Sequence, residues 1–145
     1  MKKEIGDCTV SNQTKGTLPR VPFARIKNEI LGEAYNLSIA LVTPAQAKKI
    51  NMQTRNKDYI PNVLSFSLSK NSGEIILCPS EIKKQTKEFD MSVTELFLYM
   101  VIHGSLHLKG YEHSSRMDKQ EGRYLTMFAP TVSHGITHYK NNHKH

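Results

Sequence analysis

The segment from Leu96 to Leu108 is apolar over most of a helical circumference, and Ser92-Val93-Thr94-Glu95 before it has the spacing of a capping box. In that box the Ser92 hydroxyl and the Glu95 carboxylate each satisfy a backbone N–H that the first helical turn leaves without a partner. Met91 and Leu96 are spaced to add a hydrophobic staple across the same cap. A helix apolar on nearly every side has to be covered on nearly every side. It falls short of the roughly 18 uninterrupted apolar residues of a membrane span, as does every other segment of the chain. The segment is expected to be a central, mostly buried helix.

The remaining residues supply shorter elements. A strand is expected near Glu4 to Val10, followed by a basic loop with Gly16 and Pro19. A helix from about Pro22 to Gly32 should bury Phe23, Ile26, Ile30 and Leu31. Leu37 to Val42 reads as a strand, and Thr43-Pro44 opens a helix running to about Met52. A polar turn, Arg55 to Asp58, separates it from two strands, Asn62 to Leu68 and Glu74 to Cys78, which the turn-forming residues 69–73 would join as a hairpin. Pro79-Ser80 starts a short charged helix to about Glu88, and a last helix is expected from about Ser114 to Phe128. The fold class is α+β, with one small sheet packed against several helices. With 145 residues and 38% hydrophobic content there is material for one core, so residues 1–145 are expected to form a single domain. Its end, His134 to His145, is rich in His, Asn and Lys and reads as a flexible tail.

Two histidines interrupt the apolar helix. His103 and His107 lie four residues apart, so both imidazoles leave one helical face about a turn from each other. If the helix continued, His113 would sit about 9 Å further along the axis and on another face, at 1.5 Å and ~100° per residue. Gly110 changes that. A left-handed residue there ends the helix and turns the chain back, bringing His113 towards the other two. Three neutral imidazoles suit a divalent transition ion, zinc best, with nickel also accepted, and leave a position open for a reacting water. The site would then lie at the end of the central helix. The spacing is that of the metzincin proteases, but Gly104 stands where those enzymes place a glutamate base, and Glu112 beside His113 does not substitute for it.

Lys and Arg outnumber Asp and Glu by 20 to 13, a formal charge of +7 that favours polyanionic partners, nucleic acid first among them. Charge alone does not separate that from simple solubility. Lys48, Lys49, Lys57, Lys83, Lys84 and Lys87 read as a solvated face. Cys8 and Cys78 are too few and too far apart for a disulfide framework, which fits a reducing, cytoplasmic setting, and no secretory signal follows Lys2 and Lys3. Cys78 reads as a small core residue, and Ser65 as one that shapes a strand or cleft. His134 and His138 repeat the four-residue interval, with His143 and His145 beyond, but Gly135 and the tail composition argue against a rigid second metal site.

The run His103-Gly104-Ser105-Leu106-His107-Leu108-Lys109-Gly110-Tyr111-Glu112-His113 resembles the signature of the YbeY family of single-strand-directed endoribonucleases. A second block agrees: Asn51, Arg55, Lys57-Asp58 and Pro61-Asn62-Val63-Leu64-Ser65-Phe66, with Gly73-Glu74-Ile75 after it. Glu112 replaces the usual aspartate, and Ser67 the usual proline, a change expected to reshape a loop beside the cleft. The resemblance implies a mixed sheet with surrounding helices, one metal on His103, His107 and His113, and catalysis by Arg55 and His107. Arg55 would face phosphate, where a planar guanidinium holds the backbone and offsets charge building in the transition state. The implied partner is RNA, ribosomal RNA or ribosomal subunits, with no membrane. A non-catalytic RNA-binding assembly factor with a structural metal is the competing class, and a metalloprotease a weaker one.

Overall fold

In the computed structural model the described residues are 6–131, so the His-rich tail lies outside them. The element order is β1 (Cys8–Asn12), α1 (Phe23–Leu31), β2 (Asn36–Leu41), α2 (Pro44–Arg55), β3 (Val63–Ser69), β4 (Ser72–Leu77), α3 (Pro79–Lys84), α4 (Thr86–Phe89), α5 (Val93–Lys109) and α6 (Ser115–Phe128), closed by a 3-10 turn at Ala129–Thr131. The strands form one mixed sheet in the order β1-β2-β4-β3. β1, β2 and β4 run parallel, and β3 pairs antiparallel with β4 as the expected hairpin.

α5 is the centre of the molecule. Every residue from 96 to 106 is buried, covered on the sheet side by Leu37, Ile39, Leu41, Ile75 and Leu77, and on other sides by α1 and α6. Strand alternation sends Ala40, Leu64 and Ile76 to the other face, where they form a second, smaller core with Ala47 of α2. The capping box is formed: the Glu95 backbone N–H donates to Ser92 Oγ at 3.2 Å and the Ser92 N–H to Glu95 Oε1 at 2.9 Å. At the other end Gly110 takes φ 112°, and the N–H groups of Gly110 and Tyr111 donate to the carbonyls of His107 and Leu106. That is the paired bonding of a Schellman stop. Gly104 lets α5 approach the sheet closely, because a Cβ there would stand 2.9 Å from Ser65 Oγ and 3.2 Å from Ile75 Cδ1.

Several boundaries differ from expectation. β1 starts at Cys8 and runs on through Ser11 and Asn12, which an edge strand accommodates because its outer side faces solvent; Glu4 and Ile5 lie outside the described residues. α2 continues past Met52 to Arg55, although residues 52–55 are all exposed and carry no apolar stripe. Its stop is Asn56, left-handed at φ 56°. Arg55 therefore sits in the last helical turn rather than in a polar turn. The charged segment after β4 is two short helices instead of one, broken at Gln85, whose side chain accepts a hydrogen bond from Asn62 Nδ2 at 2.7 Å.

On α1, Leu31 is only half-buried and Lys27 takes a buried place instead. Its Nζ donates to the carbonyls of Glu33 (2.8 Å), Gly6 (3.3 Å) and Gly32 (3.4 Å), tying the end of α1 to the start of β1. A cation at a helix C-terminus meets the negative end of the backbone dipole. Ser67 pairs with Gly73 within β3 beside a register irregularity, not in a loop, and the edge position of β3 is one where either serine or proline is tolerated.

Loss of either end of α5 should be measurable in urea denaturation. Ser92→Ala should cost about 1 kcal/mol, the usual value of an N-cap, and Gly110→Ala about 1–2 kcal/mol from the left-handed backbone. Both should shift the midpoint without changing the slope; unchanged midpoints would contradict the assigned caps.

Candidate metal centre

Tyr99, His103 and His107 follow one another at four-residue spacing, so all three side chains share one face of α5. Burial falls along that stripe towards the helix end: His103 is buried, at 4% exposure, His107 is half-buried, and His113 beyond the turn is exposed. The Gly110 turn brings His113 back, with its ring centre 4.6 Å from that of His107 and 5.4 Å from that of His103. One nitrogen from each of the three rings lies within 4.8 Å of the others.

The hydrogen bonds fix which nitrogens face inward. His107 Nδ1 lies 2.9 Å from the Tyr111 carbonyl oxygen, which can only accept, so that nitrogen carries the proton. His103 Nδ1 lies 2.5 Å from Glu121 Oε2 and is likewise the donor to a carboxylate. Tyr99 donates its hydroxyl to the other oxygen of Glu121 at 3.1 Å. The two Nε2 atoms are then both lone-pair acceptors, and they face each other across 3.1 Å. Two lone pairs at that distance repel unless a cation draws on both. The donor set thus fits a divalent ion, with second partners behind the imidazoles in the arrangement usual for metal-ligating histidine. Burial, and next the neighbouring His103, push the His107 pKa below its ordinary value of 6.5, which keeps a lone pair available.

The triad opens onto a cleft of about 520 Å³ whose opposite wall runs from the end of α2 through the connection to β3. Arg55 is held there by its Nη1, which donates to Asn51 Oδ1 at 3.2 Å and to the Tyr59 hydroxyl at 3.3 Å. Asn51 is fully buried and anchors the connection through its Nδ2 bond to the Tyr59 carbonyl at 3.1 Å. Ser65 lines the cleft and donates to the Gly104 carbonyl at 3.1 Å, the shaping role expected of it. Glu88 is the one carboxylate among the described lining residues.

The structure therefore brings Arg55, His103, His107 and His113 to one cleft. Glu112 is exposed and is not part of its lining, and neither are the six lysines, which are all exposed; Lys48 pairs with Asp58 at 3.5 Å and Lys84 with Glu81 at 3.2 Å. Cys78 is buried, 1% exposed, as a core residue. His134, His138, His143 and His145 lie outside the described residues. Sequence reasoning missed Glu121, whose signal was an acidic residue on the buried stripe of α6 beside Met117, Tyr124, Leu125 and Phe128. It also missed the Tyr99 hydroxyl that supports Glu121, and Tyr59.

Such an arrangement defines a small α+β protein with a three-histidine centre at the end of its buried helix, facing a wall that carries Arg55 and Glu88. Residues 2–129 match the family described as Endoribonuclease YbeY, and the chain belongs to that family. It is 40% identical to the Endoribonuclease YbeY of Bdellovibrio bacteriovorus over 63% of this chain and 60% of that one. To the Endoribonuclease YbeY of Mycoplasmopsis synoviae it is 35% identical over 61% of this chain and 64% of the other. The aligned part thus spans about three-fifths of these relatives' lengths. A solution structure of a Thermotoga maritima protein is similar, with a TM-score of 0.61 and 27% identity over 81% of this chain and 86% of that one.

The lowered pKa of His107 makes a prediction for the metal-free protein. Unfolded, this imidazole protonates near 6.5; folded, it does so at lower pH. Between those values the unfolded chain holds more protons, so stability is full above about pH 6.5 and falls as the pH drops through the folded value. Urea midpoints measured from about pH 7.5 down to about pH 5 should decline, and His107→Asn should flatten part of that decline. Parallel profiles for the two proteins would refute the assignment.

Proposed function

We propose that this chain is a metal-dependent endoribonuclease cutting single-stranded RNA in the cytoplasm, in ribosomal RNA maturation and ribosome quality control. Its site would be a single zinc ion, or nickel or another divalent transition ion, on His103, His107 and His113. The observation that carries the reading is the convergence of three imidazoles and the Arg55 guanidinium on one open cleft, in a chain of this family. The formal charge of +7 suits a polyanionic substrate. No helix among the described residues is long and apolar enough to cross a membrane.

The bound ion would supply an activated water or polarise the scissile phosphate. The chain's own residues orient the reaction. Glu121 holds His103 in the tautomer that turns Nε2 to the cleft, and the Tyr111 carbonyl does the same for His107. Arg55 spends both Nη1 hydrogens on Asn51 and Tyr59, so its Nε–Nη2 edge, with three of the five guanidinium donors, keeps the planar fork for phosphate oxygens. That edge would bind the backbone and offset charge gathering on the phosphoryl oxygens. His107, half-buried between buried His103 and exposed His113, would hold the ion with them and is the ligand counted with Arg55 as catalytic in this reading.

A structural metal in a non-catalytic RNA-binding assembly factor predicts a closed site, and the increasing exposure from His103 to His113 favours an open one. A protease is disfavoured because position 104 faces the sheet.

Purified protein should cleave single-stranded RNA, lose that activity on chelation and regain it with zinc. His107→Ala should abolish turnover, and Arg55→Ala should lower it by about 100-fold or more, as removal of a transition-state donor does. Cleavage that survives both chelation and His107→Ala would sink the metal mechanism, whereas metal removal that unfolds a protein with no turnover when replete would favour the assembly factor. Separately, Glu121→Gln should weaken zinc binding by roughly 10- to 100-fold. Chelator competition on protein with its four tail histidines replaced measures this, and unchanged affinity would remove Glu121 from the site.

A further inference from the structure

Tyr59 is half exposed, at 50%, yet it is not left to move as an exposed aromatic ordinarily does. Its carbonyl is held by buried Asn51 at 3.1 Å and its hydroxyl by Arg55 at 3.3 Å, so both ends of the residue are fixed while the ring lines the cleft. Large exposed apolar groups are usually explained by nothing more than incomplete coverage. Here the same guanidinium that offers its outer edge to phosphate also anchors the ring. A nucleotide whose phosphate meets Arg55 carries its base one sugar away, within reach of a neighbouring platform. An aromatic face held in advance costs little conformational entropy on binding, and it accepts any base, since every base has a π-face. The base must be unpaired to use it.

We propose that Tyr59 is a nucleobase-stacking subsite, which receives the base adjoining the phosphate that Arg55 holds. The inference rests on the RNA reading above and deepens it, giving that cleft a physical preference for single strands: a base confined within a duplex cannot lie on the ring.

The test is equilibrium binding of the full chain, metal-loaded, to a single-stranded 2′-O-methyl hexanucleotide and to the same backbone made abasic. The wild type should bind the base-bearing strand more tightly than the abasic one. Tyr59→Phe keeps the ring and should keep that preference, although it releases Arg55. Measured against Tyr59→Phe, so that both variants lack the hydroxyl bond to Arg55, Tyr59→Ala should lose about 5- to 150-fold in affinity for the base-bearing strand beyond any loss on the abasic one, the range of base–aromatic stacking. Retention of the preference by Tyr59→Ala overturns the subsite and leaves the RNA reading standing, and loss of it in Tyr59→Phe shows that the hydroxyl bond rather than the ring is responsible, which also overturns it. A wild type that binds neither strand overturns the RNA reading itself. Thermal melting of each variant accompanies the titrations, and the exposed position of Tyr59 predicts unchanged transitions.

Discussion

The hydrogen bond between His103 Nδ1 and the Glu121 carboxylate, 2.5 Å long, joins the two helices on which the centre is built. Both groups are almost wholly excluded from water, at 4% and 1% exposure. A buried polar group without a partner costs on the order of 1–3 kcal/mol, more when it is charged, so each side chain lowers the cost of burying the other. Burial of α5 makes the pairing necessary. Because the helix is covered on all sides between residues 96 and 106, a histidine within it must be satisfied by another buried element, and α6 supplies the acid. The same bond settles the tautomer of His103 and turns Nε2 outward. Packing and site chemistry are therefore served by one contact, and the Tyr99 hydroxyl, on Glu121's other oxygen, belongs to both.

What could be read from the sequence was what depends on neighbours in the chain. The capping box spans the four residues Ser92 to Glu95, the Gly110 turn comes three residues after His107, and the β3–β4 hairpin needs only a short connection; all form as expected. Glu121 could not be read in this way. Its partner lies 18 residues away across a turn whose path depends on the packing of α6, and a lone acid on an amphipathic stripe has many possible destinations. Lys27 is a similar case in part, since all three of its carbonyls lie outside the helix that carries it and that of Gly6 is 21 residues away. The parallel pairing of β1, β2 and β4 is non-local by construction and left no local signature. Arg55 was recognised by resemblance while its helix was ended too early, because α2 leaves the surface pattern of a buried helix before it leaves helical geometry.

Position 104 shows how a motif and its surroundings divide the chemistry. Three histidines with a glycine in the connection describe a geometry, a helical pair and a returning turn, and that geometry is shared with the metzincin proteases. What those enzymes add is a glutamate directly after the first histidine. In this fold that position points at the sheet: a Cβ on Gly104 would meet Ser65 Oγ at 2.9 Å and Ile75 Cδ1 at 3.2 Å, so a larger side chain would have to separate α5 from β3 and β4 before reaching any ion. The missing glutamate is thus a condition of packing the central helix, not a defect in a protease motif. Among the described lining residues, the charged side chains other than the histidines stand on the facing wall. Arg55 is there, oriented by Asn51 and Tyr59, and Glu88 is the only carboxylate among the described lining residues. One guanidinium and one carboxylate on the wall opposite the three imidazoles thus carry the charge that position 104, packed against the sheet, has no room to supply.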